Sequence, residues 1–249
     1  MVKYFNYQHF FLYLLYEFIL LRMVNEQNND KKSFLPYGDC LTDQEMEKVR
    51  DNSNIVMYDK KEIIFRQDTR TSHIMLVKSG LVKIYKEGRN NKFIVLKIAI
   101  PSEYIGLMSI YGNTVYQYSA AAIVPTEILF IDNGTFTGIV KKNGEFALSL
   151  INNLSTFGIY IFERLMSQSH KQLPGRIADV ILYFAEIIYQ SDVFEFPFTR
   201  RELAELAGTT KESFIRTLAE FKNDKIIDLD GSQVKINSMK IIKTLSALG

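Results

Sequence analysis

Side chains suited to recognition chemistry are densest in residues 199–218, TRRELAELAGTTKESFIRTL. Glu212 and Arg216 stand one helical turn apart. Arginine bonds guanine O6 and N7 together and glutamate accepts from cytosine N4, so a helix carrying both near its N-terminus can read adjacent base pairs in a major groove. Thr199, Arg200, Thr209 and Thr210 stand where helix N-termini offer hydroxyls and amides to phosphate oxygens. On their own, Glu212 and Arg216 are an exposed i,i+4 ion pair worth roughly 0.2–0.5 kcal/mol. Their surroundings raise the reading above that. Thr199 with Glu202, and Thr209 with Glu212, have capping-box spacing, and Gly208 ends the first of two short helices. Leu203, Leu206, Ala207, Phe214 and Leu218 form the inner faces, leaving Lys211, Glu212, Ser213, Ile215 and Arg216 on the others. A hairpin follows, with Ile226–Leu229 and Val234–Ile236 flanking an Asp230-Gly231 turn. Two capped helices, a glycine turn and a hairpin make a winged helix-turn-helix.

The elements upstream must position that unit. Between Ile55 and Ile131, short runs rich in Ile, Val, Tyr and Phe read as strands: 55–58, 62–66, 73–77, 81–85, 93–99, 118–123 and 127–131. Spaced this way, with glycine turns at Ser79-Gly80 and Lys86-Glu87-Gly88, they predict an antiparallel sandwich or barrel. After Gly144 the period becomes helical, with Phe146, Leu150, Leu154, Phe157, Ile161 and Leu165 on one stripe. A helix from Gly144 to Ser169 is about 39 Å long at 1.5 Å per residue, and its stripe suits either a core face or a partner helix. Pro174-Gly175 then marks a boundary, followed by a second helix over 176–189.

Composition narrows the classes. One cysteine, Cys40, excludes a disulfide framework, a zinc ribbon and a four-cysteine iron–sulfur cluster. It suits a reducing, cytoplasmic setting. The apolar run Phe10 to Leu21 is about 12 residues long, short of the roughly 20 a spanning helix needs, so no membrane role is expected. No small-residue cleavage site follows it, and the polar stretch Asn25 to Ser33 reads as a linker. Whether residues 1–22 belong to the working protein, which could start at Met23, stays open. No Walker loop, G-x-S-x-G elbow or H-E-x-x-H motif occurs, so no catalytic residues and no metal site are expected. Haem stays open through His73 or His170, although a lone histidine is more often a hydrogen-bonded structural residue. Thirty Lys plus Arg against 28 Asp plus Glu leave a net charge of +2, and residues 171–249 carry 11 of each sign. The candidate DNA-binding part is thus neutral overall.

At this point the chain, from about Leu41 to Val234, resembles the Crp/Fnr family of bacterial transcription regulators. The resemblance rests on Phe65-Arg66-Gln67-Asp68, Val77-Lys78-Ser79-Gly80, Pro174-Gly175-Arg176-Ile177-Ala178 and Thr199-Arg200 through Arg216. It implies an α+β architecture. Residues 1–33 would be an apolar extension and linker, 34–142 a cyclic-nucleotide-binding-like sensory β-roll, 143–170 a dimerisation helix and 171–249 a winged helix-turn-helix domain. It further implies a homodimer paired through the long helix, base contacts from Lys211, Glu212 and Arg216 to TGA-like palindromic half-sites in double-stranded DNA, and RNA polymerase as a further partner. The family's effector pocket maps onto Gly106, Leu107, Tyr118, Ser119, Ile161 and Phe162. Cyclic-AMP-binding members have Gly-Glu and Arg-Ser where this chain has Gly106-Leu107 and Tyr118-Ser119. Binding a phosphate monoanion without its arginine would cost several kcal/mol, so the β-roll is expected to sense something other than cyclic AMP, and any ligand to be mostly apolar. The alternative is a haem- or ligand-sensing β-roll protein that works through protein contacts without specific DNA binding.

Overall fold

The computed structural model of the chain describes residues 35–88, 93–112 and 115–249. The expected N-terminal extension and linker, residues 1–33, and the 33/34 boundary lie outside these. The described residues form two compact units. One runs to residue 161 and includes 197–214; the other comprises 162–196 and 215–249. The cuts fall at 161/162 and 214/215, each inside a continuous helix, and at 196/197 between elements; the start of the long helix is built into the β-roll core.

In the first unit the strands are β1 (Ser53–Tyr58), β2 (Ile63–Phe65), β3 (His73–Ser79), β4 (Val82–Glu87), β5 (Phe93–Ala99), β6 (Tyr104–Ile105), β7 (Ser119–Ala122) and β8 (Thr126–Asp132). They make two antiparallel sheets, ordered β1-β8-β3-β6 and β2-β7-β4-β5. Helices α1 (Asp43–Asp51), α2 (Leu107–Gly112) and α3 (Asn133–Lys142) complete the β-roll, and α4 (Gly144–His170) leaves it.

Strand β3 explains the layering. Successive strand side chains point to opposite faces, yet Ile74, Met75, Leu76 and Val77 are all buried, so both faces of this strand are covered. Met75 and Val77 meet Phe65, Val82, Ile84 and Ala120 between the two sheets. Ile74 and Leu76 point the other way, onto Met46 and Val49 of α1, Phe136 and Ile139 of α3, and Phe146 and Leu150 of α4. The β3–β4 turn needs Gly80: its φ is +84°, and a Cβ there would lie 2.6 Å from the Pro125 carbonyl oxygen.

That core corrects the reading of the long helix. Its bounds fall within one residue of expectation, but Phe146 and Leu150 face the β-roll, with Leu154 packed beside them. They are not available to a partner helix. The N-terminus of α4 is fixed from the same side, where the Asn143 side chain accepts from Phe146 N at 3.0 Å and donates to the Cys40 carbonyl at 2.8 Å. On another face of α4, Leu148, Ile151, Phe162 and Leu165 are each more than half exposed.

The second unit holds α5 (Leu173–Leu182), which starts three residues earlier than expected, with Pro174 in its first turn, and runs on as a π-helical turn over Tyr183–Ile188. Here Asp179 gathers Lys171, Ser167 and Ser246 by hydrogen bonds. Strands β10 (Ile227–Asp230) and β11 (Gln233–Ile236) form the expected hairpin. The structure adds β9 (Val193–Glu195) on the free edge of β11 and a terminal helix, Met239–Leu248, capped by Ser238. Among the described residues, no helix is long and apolar enough to cross a membrane.

Candidate DNA-binding interface

Helix α6 (Arg200–Leu206) opens with the predicted capping box: the Thr199 hydroxyl accepts from Glu202 N, and the Glu202 carboxylate accepts from Thr199 N at 3.0 Å. Leu203, Ala204 and Leu206 are buried. Gly208, at φ +63°, turns the chain in a left-handed conformation that side chains rarely adopt. Helix α7 (Lys211–Asn223) follows.

The cap of α7 differs from the sequence expectation. Its first turn is held by Thr210, whose hydroxyl accepts from Ser213 N at 3.2 Å and bonds the Ser213 hydroxyl at 3.1 Å. The helix starts one residue later than a Thr209–Glu212 box requires, and the Thr209 amide instead closes the turn onto the Ala204 carbonyl at 2.9 Å. Thr210→Ala should therefore cost about 1 kcal/mol in urea denaturation, and Thr209→Ala less than about 0.5 kcal/mol. The reverse order would restore the box at Thr209. The shift matters for chemistry, because a capping-box Glu212 would spend its carboxylate on the backbone.

Phe214, Thr217, Leu218 and Phe221 form the buried side of α7. Lys211, Glu212, Ile215 and Arg216 are exposed, and offsets of zero, one, four and five put them on one helical face. The expected base contacts are thus brought together. Among the described residues, no ion pair joins Glu212 to Arg216, so the isolated-pair reading is not the one observed. Thr199 and Arg200 stand at the start of α6, and burial pulls the Arg200 pKa down. Lys222, a cation near the unit in the sequence, donates to the Leu229 carbonyl at 2.8 Å and so holds the hairpin.

Sequence reasoning missed what surrounds Glu202. Lys83 of β4 pairs with it at 2.6 Å, with both side chains mostly buried. The same ammonium lies 5.0 and 4.9 Å from the ring centroids of Tyr85 and Phe93. Burial pushes the Glu202 pKa up, but the bonds from Lys83 and Thr199 outweigh it and the net shift is downward. Residues 119 positions apart leave no local signal of such a pair.

The expected effector residues divide. Gly106 N donates to the buried Tyr118 hydroxyl at 2.9 Å, and burial pushes that phenol up to about 12. Phe65 stacks on Tyr116 at 4.1 Å and lies 5.6 Å from Tyr118, so aromatic rings fill this part of the roll. The Ser119 hydroxyl accepts from Gln67 N at 2.9 Å and donates to the Glu87 carboxylate at 3.1 Å. Leu107 belongs elsewhere, in the core with Tyr104 and Phe136. Phe162 is 68% exposed and lies on the outer stripe of α4, while Ile161 is half-buried. His73 Nδ1 bonds the Ser72 hydroxyl at 2.8 Å, and His170 closes α4 at the surface. Among the described residues, no three His, Cys, Asp or Glu side chains gather as a metal site.

Residues 55–143 match the family model of the cyclic nucleotide-binding domain, and residues 175–244 that of the Crp-like helix-turn-helix domain. The CRP-like cAMP-activated global transcriptional regulator of Mycobacterium tuberculosis is 23% identical over 186 residues, which are 73% of this chain and 83% of that protein. The structure of FixK2 from Bradyrhizobium japonicum superposes with a TM-score of 0.71 at 18% identity, covering 78% of this chain and 96% of that one. A crp/fnr-family structure from Eubacterium rectale gives 0.72 at 20% identity, covering 85% and 98%.

Proposed function

The chain belongs to the Crp/Fnr family of DNA-binding transcription regulators, and from that premise we propose that it works as a homodimer reading palindromic, TGA-like half-sites, with a β-roll that answers to a signal other than cyclic AMP. The observation that carries the DNA reading is the single exposed face of α7 bearing Lys211, Glu212 and Arg216. Two copies related by a two-fold axis would place this face in successive major grooves, about 34 Å or 10 bp apart. RNA polymerase is the further partner such a regulator would engage.

Ser119 supports the second half of the proposal. A cyclic phosphate seated there would meet the Glu87 carboxylate that already accepts the Ser119 hydroxyl, and Tyr118 supplies no positive charge in place of arginine. Glu87 is exposed, so water screens part of the repulsion, but an anion at Ser119 would sit beside a like charge with no cation from Tyr118 to offset it.

One experiment tests both halves. In a gel-shift titration at moderate salt, the full chain is expected to shift a duplex with two inverted TGA cores 10 bp apart more strongly than a scrambled duplex, and cyclic AMP should leave the titration unchanged. Equal shifts on both duplexes would sink the specific-regulator reading in favour of protein-contact signalling. A saturable cyclic-AMP effect would sink the sensing half alone.

A further inference from the structure

Every large apolar side chain of α7 is buried except one. Phe214, Leu218 and Phe221 are at most 4% exposed, whereas Ile215 is 43% exposed. A single exposed isoleucine is unremarkable on a protein surface at large, so its position decides what it means. Ile215 lies one turn beyond Lys211, three residues beyond Glu212 and directly before Arg216, at the centre of the otherwise polar exposed face. Local stability does not call for it: a β-branched residue is a poorer helix former than the alternatives at a solvated site. Its χ1 is also held near one rotamer in a helix, so a contact from it is pre-ordered.

In a major groove only thymine presents an apolar group, the 5-methyl, and apolar side chains read it by contact. We propose that Ile215 is a specificity-determining residue that packs on a thymine 5-methyl next to the base pairs read by Glu212 and Arg216, adding one base pair to each half-site. The inference rests on the DNA-reading function above and deepens it.

Deoxyuridine differs from thymidine only by that methyl, which makes the test chemical. The full chain is used to select duplexes from a pool with two inverted TGA cores and randomised flanks. Each selected thymine outside the cores is then replaced by deoxyuridine, in symmetric pairs, and affinity is measured for the native chain and for Ile215→Ala, an exposed substitution that favours the helix. One pair is expected to weaken native binding roughly fourfold per half-site, or roughly fifteenfold for the pair, and to leave Ile215→Ala almost unaffected. If no thymine is selected in the flanks, or if the deoxyuridine penalty is the same in Ile215→Ala, the assignment is overturned while the DNA reading stands. If the pool is not enriched over one with scrambled cores, the DNA reading itself fails and the assignment with it.

Discussion

Phe162→Glu is expected to leave the chain monomeric and to abolish specific binding to a palindromic duplex, with the β-roll still folded. Leu148, Ile151, Ser155, Gly158, Phe162 and Leu165 follow one another at spacings of three and four along α4, which is the heptad pattern of a paired helix. The large members are exposed in the single chain: Leu148 58%, Ile151 57%, Phe162 68% and Leu165 62%. In the proposed dimer, small residues at Ser155 and Gly158 would let two backbones approach at mid-seam. Around a two-fold axis each side chain is lost twice. Burying one phenylalanine contributes roughly 1.5–3 kcal/mol, so the pair gives about 3–6 kcal/mol, or about a 100-fold to 10⁴-fold rise in the dimer dissociation constant. The two glutamates then repel each other as well. Sedimentation equilibrium reads the effect, and a dimer of unchanged affinity would remove α4 as the seam. Phe146→Ala is the contrasting substitution. Phe146 is 1% exposed in the β-roll core, so its loss should cost about 3–5 kcal/mol of fold stability and leave the outer stripe in place.

The same helix shows what the sequence could and could not say. The length of α4 was legible because an apolar period of 3.6 residues extends without a breaker from Gly144 to the Lys171-Gln172-Leu173-Pro174 stretch. The owner of each stripe was not, because α4 has two apolar faces and periodicity does not tell a β-roll from a second helix. The first members of the stripe, Phe146, Leu150 and Leu154, proved to be core or packed on it, whereas Leu165 lies on the exposed outer stripe, whose other members were not assigned to it. Strand β6, two residues long, and the six-residue α2 are too short to show a period at all. The cap of α7 was ambiguous because Thr209 and Thr210 are both sound N-cap residues. Glu212 favoured the first by spacing, and the tight turn around Gly208 selected the second. By contrast, the box at Thr199 and Glu202 was read correctly, because no adjacent threonine competes. The pairing of Glu202 with Lys83 comes from tertiary packing alone.

Arg216→Ala should weaken binding to the preferred duplex and flatten the preference at one base pair per half-site. If Arg216 bonds guanine O6 and N7, its loss costs about 1–3 kcal/mol per half-site, hence about 2–6 kcal/mol for the dimer, or about 30-fold to 10⁴-fold. Glu212→Ala should relax the choice at the neighbouring base pair, because an acidic side chain repels phosphate and gains only from a cytosine N4 donor. Charge balance makes the argument sharper. Residues 171–249 carry 11 cations and 11 anions, so the non-specific term, which comes from phosphate neutralisation, starts small and base contacts make up a large share of the affinity. A chain binding mainly through phosphates would lose affinity equally for every sequence on Arg216→Ala, with a salt slope reduced by about one unit per removed contact. A base-reading Arg216 predicts the opposite pair of results: affinity for random duplex nearly unchanged, and discrimination at the guanine position lost. Titrations of matched and single-mismatch duplexes at two salt concentrations separate the two outcomes, and a uniform loss across sequences would assign Arg216 to the phosphate backbone.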